Sequence, residues 1–425
     1  KILDEVTAEA GKTTCLQAVN GADEFIAAAE DGCLENTRLI FAVEIPASGI
    51  NLEAYRILDF LQKTFAASGK CDDCADSAAA PKGPASSSPA MLKGSVGGVI
   101  VDGSSSLYTK DIGRRFLFAA NMTGCSFPGK PLVEATSDLA NFKVVARLWS
   151  VDLYGAYVKS CISLAEKIIS FSFENQREPN IVAIHASSHK TSNSLALWKM
   201  ISSELDGAAE IEEISMRNGQ VWDCRGCKYE DCLHFGEKGD CFYGGVMVEK
   251  VYPAIVKCDI LVLICPNYND SVSANIMAFI NRLTSVFRVN DFSKKRVYAV
   301  IVSGYSGGDI VAQQVIGAIN VNKNFMLPAG FALMETANDP GDAEKIQGIE
   351  QRCRRFAQAI FESSTIFAPS DPIKTKHRLI LQFKKFRYHP REERSKWNKT
   401  RADTLPLFTH LRPQFILPRK KKFPT

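Results

Sequence analysis

The 425-residue sequence contains no apolar run of the roughly 18–20 residues that a membrane-spanning helix needs. Its first residues also lack the apolar core of a secretory signal. Two nucleotide-binding motifs are absent: the Gly-x-x-x-x-Gly-Lys-Ser/Thr of a P-loop and the Gly-x-Gly-x-x-Gly of a dinucleotide-binding fold. These absences predict a cytoplasmic protein outside the membrane, and they argue against a nucleoside triphosphatase.

Hydrophobic residues make up 46% of the chain and charged residues 23%, which is typical of a soluble globular protein long enough for two domains. The net charge of +4 is unevenly distributed, because residues 371–425 hold 16 Lys and Arg against 4 Asp and Glu. The rest of the chain is therefore acidic. A basic tail is predicted over residues 363–425. It suits binding to RNA, DNA or an anionic surface, a solvated extension, or a strap over the acidic body.

A strand, a polar loop and a helix follow one another from residue 181 onwards. The apolar run 181–184 leads into a loop rich in Ser, Thr and Asn, and a helical pattern begins around Leu195. Free backbone N–H groups and the positive end of the helix dipole make such a loop a seat for phosphate. The alternative is that Ser192, Asn193 or Ser194 simply caps the helix.

Two further apolar runs, 259–265 and 296–302, end in polar loops in the same way. Continuous apolar runs are typical of parallel strands that helices cover on both faces. In an open α/β sheet, ligands bind at the carboxyl ends of the strands. Tyr268 and Tyr305 lie in the two loops and can cover a flat ring. The pattern therefore predicts an α/β fold with a doubly wound parallel sheet and a ligand site formed by three loops.

Together the loops resemble those of the flavodoxin-like NADPH-dependent FMN reductase family. The resemblance rests on Ala-Ser-Ser-His-Lys-Thr-Ser-Asn-Ser at 186–194, Pro-Asn-Tyr-Asn-Asp-Ser-Val-Ser at 266–273, and Ser-Gly-Tyr-Ser-Gly-Gly at 303–308. It covers residues 178–362 and implies a flavodoxin-like FMN-binding domain, although Ala186 and His189 stand where the family usually has Gly and Arg. The implied phosphate contacts are Ser187, His189, Ser192, Asn193 and Ser194. The implied ring contacts are Pro266, Asn267, Tyr268, Asn269, Ser303, Gly304 and Gly308.

Four cysteines, Cys224, Cys227, Cys232 and Cys241, stand in a Cys-x2-Cys-x4-Cys-x8-Cys pattern. Four thiolate ligands suit either Zn or an iron–sulfur cluster, and a third interpretation is unconnected structural thiols. His234 is able to replace a ligand in a Zn site. The position of these cysteines resembles the iron–sulfur flavoprotein branch of the family, although that branch has its third cysteine closer to the second. The resemblance favours a 4Fe-4S cluster near the flavin over Zn.

The first domain, predicted over residues 1–175, shows a weaker version of the same pattern. Residues 1–35 are interpreted as short helices, whereas 39–45 and 98–102 are interpreted as strands. On this interpretation the strand at Val99 corresponds to the strand at Leu261. The loop 46–51 has no Ser, Thr and Asn cluster comparable to that of the second domain. The sequence therefore predicts a degenerate flavodoxin-like domain with a scaffold or dimerisation role and no flavin of its own.

The predicted function is FMN-dependent oxidoreduction, with NAD(P)H as the donor and an unknown electron acceptor. A flavin accepts a hydride and can release electrons singly, so an adjacent cluster would let it feed a one-electron carrier. No catalytic side chain is predicted, and a homodimer is expected from the resemblance alone. Two alternatives remain: an electron carrier or redox sensor without turnover, and a nucleic-acid-binding protein with a structural Zn that acts through the basic tail.

Overall fold

Two five-stranded sheets, each with parallel strands throughout, form the framework of the computed structural model. The structure describes residues 15–70, 91–172, 178–187, 191–217, 221–365 and 378–383. Both sheets belong to a single compact unit. In this part of the chain, no helix has the length and apolar character needed to cross a membrane.

We call the first sheet and its helices the N-terminal domain, and the second sheet and its helices the second domain. The strands of the first sheet are β1 (Cys15–Asn20), β2 (Arg38–Ile45), β3 (Val96–Gly103), β4 (Leu132–Ala135) and β10 (Arg378–Phe383), in the spatial order β1-β10-β2-β3-β4. Its helices are α1 (Gly21–Glu30), α2 (Leu52–Lys70), α3 (Thr109–Met122), α4 (Lys143–Trp149) and α5 (Leu153–Ile169). A short 3-10 helix covers Ala140–Phe142.

The second sheet belongs to the second domain. Its strands are β5 (Asn180–His185), β6 (Glu210–Ser215), β7 (Ile260–Pro266), β8 (Arg296–Ser303) and β9 (Ala332–Thr336), in the order β6-β5-β7-β8-β9. Its helices are α6 (Asn193–Glu204), α7 (Tyr229–Gly236), α8 (Tyr252–Lys257), α9 (Ala274–Arg282), α10 (Thr284–Phe287), α11 (Gly308–Val315) and α12 (Ile349–Thr365). A π-helical turn over Met247–Val251 precedes α8, a second over Ile316–Val321 follows α11, and Ala343–Lys345 form a 3-10 helix.

The middle strands of the second sheet carry the core. Every residue of β8 is buried, and so is every residue of β7 except Pro266. Helices therefore cover both faces of this sheet, as its continuous apolar runs predicted. The first strand, β5, lies between the second and the third, which is the order of a flavodoxin-like doubly wound sheet. The predicted fold class is confirmed.

The first sheet contains two strands that differ from the prediction. Cys15–Asn20 lies in the range interpreted as helical, but it forms β1 and pairs along its whole length with β10. Pairing with a distant strand overrides a weak local preference for helix. β10 itself comes from the predicted basic tail. Apart from these six residues and the end of α12, residues 363–425 lie outside the described part of the chain, and so does the nucleic-acid hypothesis based on them.

β10 also changes the comparison between the domains. It occupies the position in the first sheet that β5 occupies in the second, because each lies between the outermost strand and the third one. The loop 46–51 follows β2, whose counterpart is β7. This loop therefore corresponds to the loop after β7 in the second domain and not to the loop after β5. The sequence-based prediction compares it with the loop after β5.

The remaining elements repeat with a spacing of 200 residues. β3 begins at Val96 and β8 at Arg296. The N–H of Val99 donates to the Pro131 oxygen at 2.8 Å, and the N–H of Ala299 donates to the Phe331 oxygen at 2.9 Å. Val99 thus corresponds to Ala299. The predicted correspondence with Leu261 is wrong by one strand.

The two domains meet where a residue of one pairs with its own counterpart in the other. Phe127 and Leu327, 200 residues apart, form an antiparallel bridge. Each donates its backbone N–H to the carbonyl oxygen of the other, at 2.8 Å in both directions. A contact between equivalent residues in both directions defines a two-fold axis. The domains are therefore related by a pseudo-two-fold axis near this bridge.

Two buried asparagines repeat this reciprocity. Asn121 donates from Nδ2 to the carbonyl oxygen of Pro328 at 2.7 Å, and Asn320 donates from Nδ2 to that of Pro128 at 3.0 Å. Both asparagines are fully buried. Hydrogen bonds from buried amides fix the relative position of the elements that they join. The interface between the domains is therefore a specific one.

Candidate functional site

Three loops leave the carboxyl ends of β5, β7 and β8 at one edge of the second sheet. Because parallel strands end at the same edge, the loops lie side by side at the position where open α/β sheets bind ligands. The first loop connects β5 to α6. Its residues 188–190, which include the predicted contact His189, lie outside the described residues.

Ser187 and the start of α6 form the described part of the first loop. Ser187 is 4% exposed, and its Oγ is buried without a hydrogen-bond partner among the described residues. Ser192 caps α6, because its Oγ accepts a hydrogen bond from the Leu195 N–H at 3.2 Å. The same Oγ lies 3.1 Å from the Oγ of Ser194. Hydroxyl groups next to the first turn of a helix suit an anion, so capping and anion binding are compatible here.

His185 fixes the beginning of the first loop. It is the last residue of β5 and is fully buried. Its Nδ1 accepts a hydrogen bond from the Ser187 N–H at 3.2 Å, and its Nε2 lies 3.3 Å from Oε1 of Glu213 on β6. An imidazole that accepts at Nδ1 carries its proton on Nε2, and the Glu213 carboxylate lies near that nitrogen. His185 therefore holds the backbone of Ser187 in place.

Asn193 has a different role from the one predicted for its side chain. Its Nδ2 donates to the carbonyl oxygens of Ala337 and Asp339 at 3.3 and 2.8 Å. Its Oδ1 accepts a hydrogen bond from the Gly341 N–H at 3.0 Å. The amide thus joins α6 to the loop after β9. Only the backbone N–H of Asn193 is left to contact a phosphate.

Asn267 joins the second and third loops. Its Nδ2 donates to Oγ of Ser303 at 3.1 Å and to the carbonyl oxygen of Ser306 at 2.9 Å. Its Oδ1 is buried without a partner among the residues that the structure describes. A buried acceptor without a donor is costly, so this oxygen is suited to accept a hydrogen bond from a ligand.

The second loop contains a tight turn. Asn269 and Asp270 both have positive φ, 52° and 56°, and backbone hydrogen bonds join Tyr268 and Ser271 in both directions. Two central residues with positive φ indicate a type I′ turn, which Asn and Asp tolerate. Gln314 on α11 holds this turn, because its Nε2 donates to the carbonyl oxygen of Asp270 at 3.1 Å.

The third loop passes close beside this turn, and we call the surface between the two the ring slot. Gly307 has a φ of 86°, and a Cβ atom there would stand 2.0 Å from Oδ1 of Asp270. The next residue, Gly308, has no atom closer than 3.5 Å to a Cβ position. Tyr268 and Tyr305 are 58% and 83% exposed at the mouth of the slot. Two exposed aromatic rings beside a polar slot suit a flat heteroaromatic ligand.

The structure brings most of the predicted contacts to one edge of the sheet. Those on described residues are Ser187, Ser192, Asn193, Ser194, Pro266, Asn267, Tyr268, Asn269, Ser303, Gly304 and Gly308. Three supporting residues, His185, Glu213 and Gln314, were not predicted. His185 directly precedes the loop and was available to sequence reasoning, but Glu213 and Gln314 act through contacts between distant segments that no local pattern reveals.

The four clustered cysteines are not assembled as ligands. All four are described, and no group of three or more Cys, His, Asp or Glu side chains in the described part of the chain is placed to hold a metal ion. His234, the alternative Zn ligand, has its Nε2 3.1 Å from Nζ of Lys238. The described residues therefore do not show the predicted 4Fe-4S cluster or Zn site.

Other cysteines fill the core. Burial raises the pKa of the Cys258 and Cys265 thiols to about 12 and that of Cys353 to about 11. Thiols with such a pKa are neutral near pH 7 and are neither nucleophiles nor ready metal ligands. The cluster differs from them, because Cys224 and Cys227 are exposed.

Comparison with known proteins finds one family model that matches part of the chain. Residues 179–339 match the family described as NADPH-dependent FMN reductase. This match confirms the predicted resemblance for that region, and it does not distinguish the iron–sulfur flavoprotein branch. No curated protein matches the chain.

Three solved structures show partial similarity to the chain. RosB with the bound intermediate 8-demethyl-8-formylriboflavin-5'-phosphate is 13% identical, with 58% of this chain and 96% of that chain covered and a TM-score of 0.36. An azoreductase from Bacillus anthracis is 11% identical, with coverages of 43% and 98% and a TM-score of 0.32. An NAD(P)H:quinone oxidoreductase from Methanothermobacter marburgensis is 12% identical, with coverages of 43% and 99% and a TM-score of 0.33.

Proposed function

We propose that the second domain binds FMN and that the protein is an NAD(P)H-dependent flavin oxidoreductase. One observation carries the proposal: the buried Oγ of Ser187, which lacks a partner among the described residues, lies in the loop between β5 and α6, at the same sheet edge as the ring slot beside Gly308. A phosphate seat and a ring slot at one edge suit a flavin mononucleotide. The match of residues 179–339 to NADPH-dependent FMN reductase supports the same assignment.

Different residues of the site would bind the phosphate and the ring of the cofactor. Ser187, Ser192 and Ser194 would bind the phosphate with the N–H groups of the first turn of α6. Asn267 and the backbone of 304–308 would bind the edge of the ring, and the exposed tyrosines would cover it. When bound, FMN supplies the hydride and electron transfer chemistry. We assign no proton transfer to a side chain.

The proposal predicts that the protein takes up one FMN per chain and that NADPH bleaches the bound flavin without oxygen. Rapid mixing with NADPH, followed at the visible absorption of the flavin, measures this reaction, and free FMN at the same concentration is the control. Protein that binds FMN but reacts no faster than the control would be an electron carrier or redox sensor. Protein that does not take up FMN would contradict the proposal.

The cysteine cluster carries a separate proposal, an iron–sulfur cluster in protein prepared without oxygen. Its support is the spacing of Cys224, Cys227, Cys232 and Cys241 alone, and no step of the flavin chemistry depends on it. We expect iron and acid-labile sulfide in anaerobic protein and their loss in a Cys224→Ser, Cys227→Ser double variant. Zn without sulfide would support the alternative ligand set instead.

His185 should influence the affinity for the phosphate of FMN and leave the ring unaffected. His185→Leu removes the acceptor of the Ser187 N–H, so we expect FMN affinity to fall about tenfold while riboflavin affinity stays within about twofold. His185→Asn keeps an acceptor at this position and should restore much of the difference. Fluorescence titration with both flavins measures the ratio, which cancels any general loss of folded protein. An equal loss for both flavins would contradict this role.

A further inference from the structure

We propose that the N-terminal domain is a built-in partner that occupies the place of a second subunit and forms one wall of the substrate groove beside the flavin. The inference rests on the proposed flavin function of the second domain. Its first support is the reciprocal interface, in which Phe127 pairs with Leu327 and Asn121 repeats the contacts of Asn320. Interfaces of this kind join two copies around a two-fold axis. Here both copies belong to one chain.

Two helices cross at this interface in equivalent positions. α3 begins at Thr109 and α11 at Gly308, a spacing of 199 residues that also separates Asn121 from Asn320. Each helix follows the strand at the fourth position of its sheet, which is β3 for α3 and β8 for α11. One groove opens on each side of the crossing, and the two grooves are counterparts: Arg114 and Gln314 line one, and their equivalents Gln313 and Arg115 line the other.

The groove of about 390 Å³ borders the proposed flavin site. It includes Asp309, which directly follows Gly308 in the first turn of α11, so this end of the groove lies one residue from the proposed ring contacts. The second domain contributes Asp309 and Gln313. The opposite wall comes from the N-terminal domain, through residues of α2 and α3 such as Tyr55, Gln62 and Arg115. A substrate that approaches the ring from this side therefore contacts both domains.

The chemistry of the groove favours a flat, weakly charged ring with a carbonyl group on its edge. Leu58 and Phe118 contribute apolar surface, and Gln62 and Gln313 contribute amides that hydrogen-bond a carbonyl or carboxamide. Arg115 donates from Nε to Asp111 at 2.9 Å, which offsets its charge. Nicotinamide and quinones share this chemistry, and the experiment below distinguishes them.

The counterpart groove borders a slot that is already filled. Tyr108 is equivalent to Gly307, and both residues have positive φ. The Tyr108 ring lies so close to Gly49 that a Cβ there would be 2.7 Å from it. The side chain thus occupies the space between the two ring loops of the first domain. In the second domain the equivalent residue is Gly307, which Asp270 of the turn approaches, while Tyr268 and Tyr305 stay exposed. The first domain thus places an aromatic side chain where the second has a glycine, and we assign the flavin and the working groove to the second domain.

Steady-state kinetics of FMN-loaded Gln313→Ala tests the groove, with Arg114→Ala as the matched control on the equivalent position of the other groove. We expect Gln313→Ala to raise KM about tenfold for the ring-bearing substrate, with kcat and the FMN dissociation constant within about twofold of wild type. A rise for NADPH assigns nicotinamide, and a rise for 2-methyl-1,4-naphthoquinone assigns a quinone. The Arg114→Ala variant should change neither KM.

Unchanged KM values in both variants, or equal changes in both, would overturn the groove assignment while FMN binding and turnover still stand. Failure of the wild type to bind FMN would instead contradict the proposed function. Light scattering tests separately whether the N-terminal domain replaces a second subunit. The resemblance in the sequence instead leads us to expect a homodimer. We expect the mass of one chain, and a stable mass of two chains would overturn the substitution of the N-terminal domain for a second subunit.

Discussion

Replacing Ser187 with glutamate should weaken FMN binding about a thousandfold and change riboflavin binding by less than about tenfold. Ser187 is 4% exposed in the loop between β5 and α6, where the proposal puts the phosphate, so a carboxylate there would stand next to it. Two unit charges about 4 Å apart repel by about 4 kcal/mol at an effective dielectric constant near 20. Since about 1.4 kcal/mol changes an equilibrium constant tenfold, this repulsion corresponds to about three powers of ten. Riboflavin has no phosphate and avoids the repulsion.

Ser203→Glu is the matched control for this variant. Ser203 lies on the exposed side of the same helix, so it adds the same charge without placing it in the site. Ser187→Ala separates charge from the loss of the hydroxyl and should cost about tenfold in FMN affinity. Fluorescence quenching of each flavin measures the dissociation constants. If Ser187→Glu still binds FMN nearly as well as wild type, or loses riboflavin equally, the phosphate does not lie at this loop.

The second domain was largely predictable because its strands carry local signals. β7 and β8 are continuous apolar runs that end abruptly in polar loops, and parallel strands place those loops together. The contacts within the loops were less accessible. Asn193 looks like a phosphate ligand in the sequence, but its amide binds the loop around Ala337, more than a hundred residues away. Residue type predicted the candidate site, and long-range contacts hold several of its side chains in ways that no local pattern shows.

The N-terminal domain was harder to predict because its topology depends on a distant segment. β10 lies more than 350 residues after β1 and in a region where charge dominates the local pattern. If β10 is left out, β2 is the first strand of its sheet and the loop 46–51 is compared with the loop after β5. Every strand of the first domain is then matched one strand too early in the second. The cysteines show the same limit. Their spacing predicts a ligand set, and the described residues show no group of side chains placed to hold a metal ion, so the cluster stays a prediction.

A substitution at Gly307 should weaken flavin binding, as Ser187→Glu does, but it should affect FMN and riboflavin alike. Gly307 has a φ of 86°, and a Cβ there would stand 2.0 Å from Oδ1 of Asp270 and 2.8 Å from Nδ2 of Asn267. A β-branched residue in this conformation costs about 1–2 kcal/mol, and overpacking adds about 1–3 kcal/mol. Gly307→Val must therefore move the second and third loops apart, and we expect affinity for FMN and riboflavin to fall about a hundredfold alike.

The control for Gly307→Val is Gly207→Val. Gly207 has a φ of 74° and no atom within 4 Å of its Cβ position, so the substitution introduces the same backbone strain without a clash and away from the site. It should lower the free energy of unfolding by an amount similar to that of the strain in Gly307→Val and leave both flavin affinities unchanged. A Gly307→Val protein that binds flavin normally would show that the ring does not enter the slot between these loops. Together with Ser187→Glu, whose effect falls on FMN alone, the pair locates the two ends of the cofactor independently.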